Sequence, residues 1–129
     1  MCRVLLVEDA PDTLEMLRVV FETRGYIATT CGSAEEALRV AEGGRFDIII
    51  SDIGLPHIDG YELIERLRLL PHMREVPALA LTGYAATKDA QAALDAGFDA
   101  HVAKPVDPSA LAEQIEKLMR QKPQGGTEQ

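Results

Sequence analysis

A doubly wound α/β domain on a five-stranded, mostly parallel sheet is the fold class this sequence predicts. Three observations predict it. Strand-like and helix-like segments alternate five times along the chain, the pattern that lays a parallel sheet between layers of helices. The most apolar run, "FDIIIS" at 46–51, reads as a central strand buried on both faces. The 129 residues, 47% apolar and 26% charged, suit one domain with one hydrophobic core.

Each element has its own signal. "RVLLV" (Arg3 to Val7) is a short branched run that predicts the first strand. A helix follows from about Pro11 to Arg24, with Leu14, Leu17 and Phe21 on one face and Gly25 as its stop. "YIATT" is a second, weaker strand. Ser33-Ala34-Glu35-Glu36 reads as a capping box, with the serine as N-cap and Glu36 reaching back. The second helix then turns Ala37, Leu38 and Ala41 inward and stops at Gly43-Gly44. After the central strand, a third helix is expected from near Gly60, with Leu63, Leu67 and Leu70 in register, ending before Pro71. "PALALT" (Pro77 to Thr82) is the fourth strand, and Thr87 to Ala96 an alanine-rich helix stopped by Gly97. "DAHVAK" is the fifth strand. Asp107-Pro108 opens the last helix, Val106 and Leu111 are placed for a hydrophobic staple, and Leu111, Ile115, Leu118 and Met119 form its buried stripe.

The domain is expected to span 1–121, with "KPQGGTEQ" (122–129) as a flexible tail. A net charge of −8, without a basic run, argues against a nucleic-acid surface. No apolar run reaches the roughly 20 residues that span a bilayer, and the N-terminus does not read as a signal peptide. A cytoplasmic protein is expected. Cys2 and Cys31 have no paired spacing and read as free thiols.

In such sheets ligands bind beyond the carboxyl ends of the strands. The first strand ends in Glu8-Asp9, the third in Asp52, the fourth in Thr82-Gly83 and the fifth in Lys104-Pro105. Three carboxylates, a hydroxyl and an amine thus converge on one edge of the sheet. Carboxylates about 5 Å apart repel by roughly 3 kcal/mol per pair at an effective dielectric near 20. One lysine does not offset that, whereas a divalent cation does. Hard oxygen ligands with few carboxylates suit Mg²⁺, and the scattered His57, His72 and His101 do not suggest zinc. A carboxylate beside a metal, a hydroxyl and a lysine fits phosphoryl transfer, with aspartate itself as nucleophile. No nucleotide-binding loop is present, so the donor brings its own leaving group.

Four stretches in order, "LLVEDAPD", "DIIISDIGLPHIDGYEL", "PALALTGYA" and "AGFDAHVAKPVD", resemble the receiver domain of bacterial two-component response regulators (CheY-like) over about Arg3 to Met119. The resemblance implies a flavodoxin-like (βα)5 sheet of order 2-1-3-4-5. It makes Asp52 the phosphoacceptor from the phosphohistidine of a sensor histidine kinase or phosphotransfer protein. It implies Mg²⁺ on Glu8, Asp9, Asp52 and the Gly54 carbonyl, with Thr82, Gly83 and Lys104 around the phosphoryl group. It also implies a cis bond at Lys104-Pro105. Phosphorylation would change the face of the fourth helix, fifth strand and fifth helix for an unnamed output partner. His101 stands where the family often has the switching aromatic, so Thr82 and His101 are the expected switch pair.

The protein is expected to catalyse only phosphorylation and dephosphorylation of its own Asp52, as a monomer, with a phosphorylation-dependent dimer left open. Two rivals are a phosphorylation-independent receiver that only binds partners and a Mg²⁺-dependent aspartyl phosphohydrolase. The latter commonly needs an acid two residues after the nucleophile, where this chain has Gly54. Plainer readings stand beside these: Asp9 as a cap on the first helix, Asp59 as a cap before Gly60, Tyr84 as a rim aromatic and His101 as a half-buried strand residue.

Overall fold

The structure is a computed structural model in which residues 2–83 and 87–121 are described, with the side chains of 87–89 left aside. The expectations for Tyr84 and for the tail at 122–129 lie outside those residues. Five strands, β1 (Arg3–Val7), β2 (Ile27–Cys31), β3 (Ile48–Asp52), β4 (Ala78–Thr82) and β5 (Ala100–Ala103), form one sheet in the order β2-β1-β3-β4-β5, every pair parallel. The helices are α1 (Pro11–Thr23), α2 (Ala34–Gly43), α3 (Gly60–Leu67), α4 (Thr87–Ala96) and α5 (Pro108–Gln121), with a 3-10 turn at Pro71–Met73.

Strand alternation divides the core in two. Leu5, Val7, Ile49, Ala78 and Ala80 face α2, α3 and α4. Val4, Leu6, Ile48, Ile50, Leu79, Leu81 and Val102 face Leu17 and Phe21 of α1 and Leu111, Ile115 and Leu118 of α5. All five residues of β3 are buried, as the apolar run predicts for a strand with helices on both faces.

Local chemistry sets the helix ends. Ser33 Oγ accepts the Glu36 N–H, and Glu36 in turn accepts the Gly32 N–H rather than that of Ser33, one residue off the expected box. Asp59 caps α3 through the Glu62 N–H. Gly25 and Gly97 end their helices at φ of +90° and +132°, where a β-carbon would be strained. Val106 and Leu111 share one cluster, as the staple requires.

Several boundaries differ from the sequence reading. β2 and β3 lie one to two residues later, so that Asp52 is the last residue of its strand. α3 ends at Leu67, and the next residue, Arg68, still helical in its backbone, bonds four acceptors through its side chain. Its guanidinium donates to the carbonyl oxygens of Met73, Val76 and Gly97 and to Asp99 Oδ2. Asp99 also accepts the Ala78 N–H, so the pair ties α3 to the first residue of β4 and the turn before β5.

Candidate functional site

The strand order reverses between β1 and β3, and there the loops leaving the two strands diverge and open a crevice. Val7 pairs with Ser51, so Glu8 and Asp52 leave the sheet side by side. Thr82 pairs with Ala103, and the Lys104 N–H donates to the Thr82 carbonyl at 2.7 Å. Register therefore gathers Glu8, Asp9, Asp52, Thr82, Gly83 and Lys104 at one edge.

One carboxylate oxygen from each of Glu8, Asp9 and Asp52 lies within 4.8 Å of the others. Glu8 is fully buried, Asp52 is 6% exposed and Asp9 is exposed. Each buried acid is pinned through one oxygen by backbone: Glu8 Oε2 accepts the Ala10 N–H at 3.1 Å, and Asp52 Oδ1 accepts the Gly54 N–H at 3.1 Å. The remaining oxygens turn to Lys104, whose Nζ lies 2.9 Å from Glu8 Oε1 and 3.1 Å from Asp52 Oδ2. Glu8 Oε1 is buried, and the Lys104 ammonium is its charged contact among the described residues.

These surroundings shift the proton affinities. Burial pushes Glu8 above the usual carboxylate range, and Lys104 and the Ala10 N–H only partly pull it back. Burial works against the charge of Lys104, but Glu8 and Asp52 together outweigh it and raise the amine. Three acids against one ammonium, with hard oxygens and a buried Oε1 that meets only that ammonium among the described residues, fit Mg²⁺. Glu8, Asp9 and Asp52 are the residues that would hold it, with the Gly54 carbonyl two residues past Asp52.

Thr82 is fully buried, and its hydroxyl reaches the Val102 carbonyl only at 3.5 Å, the long limit for such a bond. Gly83 is exposed beside it. The Lys104-Pro105 bond is cis, as the resemblance implies. His101 is half-buried beside Ala80 on the strand next to Thr82, and its Nδ1 is buried without a hydrogen-bond partner among the described residues. Asp9 does not cap α1: the N-cap position is Ala10, whose side chain makes no capping bond and whose own N–H donates to Glu8 Oε2. The cap reading of Asp9 is thereby corrected, and its carboxylate stays with the acid cluster.

One residue escaped the sequence reading. Gly60 starts α3 against the end of β3, its N–H donating to the Ile53 carbonyl at 3.0 Å. A β-carbon there would fall 2.3 Å from the Asp52 carbonyl oxygen and 2.5 Å from Ile53 Cα. The Asp59-Gly60 pair is a common turn signal and carries no mark of this contact.

The sequence pattern of the response regulator receiver domain matches residues 4–116. An uncharacterised 14.6 kDa protein in the sodA1 3′ region of Leptolyngbya boryana is 43% identical over 88% of this chain and 87% of its own length. The signal transduction histidine-protein kinase BarA of Shigella flexneri is 32% identical over 95% of this chain, which spans only 13% of that kinase. The receiver domain of sensor histidine kinase PA1611 of Pseudomonas aeruginosa, solved with a magnesium ion in its active-site cleft, superposes with a TM-score of 0.84 at 32% identity, covering 92% of this chain and 98% of that one. Fold order, site geometry and these likenesses agree, and the chain belongs to the response regulator receiver domain family of two-component signalling.

Proposed function

We propose that the protein is a phosphorylation switch in which Asp52 takes a phosphoryl group from the phosphohistidine of a sensor kinase or phosphotransfer protein. One observation carries this reading: Asp52 ends the central strand with Oδ1 on a backbone N–H and Oδ2 against the Lys104 ammonium, inside an acid cluster. In the transfer, an Asp52 carboxylate oxygen forms the new P–O bond. The donor's P–N bond breaks, and its electron pair stays on the departing imidazole. Bound Mg²⁺ would neutralise the charge gathered by the carboxylates and the phosphoryl oxygens. Lys104 supplies an ammonium for a phosphoryl oxygen. The weakly held Thr82 hydroxyl supplies a donor that turns toward the new anion.

The inward turn of Thr82 leaves space beside His101 on β5, and the face of α4, β5 and α5 changes with it. Hydrolysis of the acyl phosphate at the same site resets the switch, so the only chemistry is on the protein's own Asp52. We place the protein in the cytoplasm; the exposed Cys2 and buried Cys31, both free thiols, suit a reducing compartment. No helix among the described residues is long and apolar enough to cross a membrane.

Intact mass after incubation with a small acyl-phosphate donor tests the reading. The wild type should gain one phosphoryl group only with Mg²⁺, and Asp52→Asn none. A gain on the same peptide in Asp52→Asn would remove Asp52 from the role.

A further inference from the structure

Ser51 breaks the apolar run of β3. It is 1% exposed and pairs with Val7 of β1 and Ala80 of β4, both fully buried in the layer that faces α2, α3 and α4. Strand alternation puts Ser51 on that face with Ile49, while the Asp52 side chain leaves the opposite face of the sheet. An apolar side chain would continue the layer, whereas a hydroxyl buried without a partner destabilises a fold. The Ser51 hydroxyl has a partner: it donates to the Asp52 main-chain carbonyl at 3.0 Å.

That carbonyl joins the strand to the loop that holds the carboxylate. The Ile53 N–H donates to the Leu81 carbonyl at 3.2 Å, and the Ile53 carbonyl accepts the Gly60 N–H at 3.0 Å. The Gly54 N–H then returns to Asp52 Oδ1 at 3.1 Å. The plane of the Asp52-Ile53 peptide therefore helps to set where the Gly54 N–H stands, and with it where the carboxylate is anchored. Gly60 closes on the same carbonyl oxygen from α3, where a β-carbon would fall 2.3 Å away. The oxygen is thus bracketed by one hydroxyl and one bare α-carbon.

We propose that Ser51 is a positioning residue for the phosphoacceptor: its hydroxyl fixes the Asp52 carbonyl and, through the backbone of 52–54, the carboxylate that meets the phosphoryl donor. This rests on the reading of Asp52 as the phosphoacceptor. Ser51 touches no reacting atom, because it lies on the other face of the sheet. Without its hydroxyl the carbonyl is free to tilt, the Gly54 N–H moves with it, and the carboxylate holds its attacking geometry for less of the time. A hydrogen bond of ordinary net strength corresponds to about threefold to tenfold in rate.

The test is the rate of mass gain with a small acyl-phosphate donor for full-length wild type, Ser51→Ala, Ser51→Thr and Arg68→Leu, at saturating Mg²⁺ and below every melting point. Ser51→Ala should be about threefold to tenfold slower at saturating donor, with the donor concentration for half-maximal rate unchanged. Ser51→Thr keeps the hydroxyl and should return to within about twofold of wild type. Arg68→Leu loses its bonds at the far end of β4 and should keep the wild-type rate, which separates positioning from a general loss of stability. A second readout follows the Asp52 carbonyl carbon by NMR: its resonance should move in Ser51→Ala and stay in Ser51→Thr. A wild-type rate in Ser51→Ala overturns the proposal, as does a slowing that Arg68→Leu shares or that Ser51→Thr fails to reverse. An unmoved carbonyl resonance in Ser51→Ala overturns it too. If Ser51→Ala does not fold, Ser51→Cys, with its weaker donor, takes its place under the same outcomes. No mass gain in wild type overturns the phosphoacceptor reading itself.

Discussion

Gly60→Ala should lower stability and, with Asp52 in its proposed role, slow phosphorylation as well, although alanine is the better helix former. The new β-carbon would sit 2.3 Å from the Asp52 carbonyl oxygen and 2.5 Å from Ile53 Cα, both backbone atoms that cannot rotate away. Reaching even 3.0 Å from that oxygen requires α3 or the end of β3 to move by 0.7 Å or more. Overpacking of this kind costs about 1–3 kcal/mol. The helix propensity of alanine returns at most about 1 kcal/mol. For 129 residues the unfolding entropy is about 0.27 kcal/mol/K, so a net loss near 2 kcal/mol lowers Tm by about 7 °C. Because the displaced atoms belong to Asp52 and its neighbour, phosphorylation should slow by on the order of 100-fold, the effect of misplacing a reacting group by about 1 Å. Thermal denaturation followed by circular dichroism reads the first effect, and the rate of mass gain with an acyl-phosphate donor reads the second. Gly43→Ala is the control: it meets nothing within 4 Å and should leave Tm unchanged or slightly raised. If Gly60→Ala melts at or above the wild-type temperature and is phosphorylated at the wild-type rate, the contact between α3 and β3 is not the rigid one described.

Three other outcomes are expected. Burial pushes the Cys31 thiol up to about 12, so a thiol reagent at pH 8 should modify Cys2 quickly and Cys31 only after unfolding; two fast thiols would contradict its burial. Arg68→Leu should cost about 2–4 kcal/mol, because it strands the carbonyls of Met73, Val76 and Gly97 and removes the ion pair with Asp99. It should still be phosphorylated below its lowered melting point, since this tie lies at the other end of β4 from Asp52; a normal melting point would show the network to be idle. Lys104 has a raised pKa in the fold, so its contribution to stability is full below the unfolded value of 10.5 and is lost as pH rises through the higher folded value. Denaturant titrations from pH 9 to 12 should show that loss in wild type beyond what Lys104→Met shows, and equal slopes would refute the pairing.

The sequence by itself determined the five-fold alternation of strands and helices, and with it the parallel sheet and the edge where the acids, the hydroxyl and the lysine gather. Those features are written in short-range patterns: a buried run ending in Asp52, capping residues at Ser33 and Asp59, and glycine stops at Gly25 and Gly97. Residue type and motif order also named Glu8, Asp9, Asp52, Thr82 and Lys104 as one site, because each follows an apolar run that must be a strand.

Only the tertiary structure decided how those residues are partnered. That Glu8 is buried and takes the Ala10 N–H, that Asp9 does not cap α1, and that Lys104 spans Glu8 and Asp52 all depend on strand register. So do the role of Arg68 across 31 residues to Asp99 and the close approach of Gly60 to Asp52. Hydrophobic periodicity reports which face of an element is covered and not which polar atom meets which. Those meetings depend on sub-ångström distances between segments far apart in the chain, and they are fixed when the packed sheet and helices close around the site.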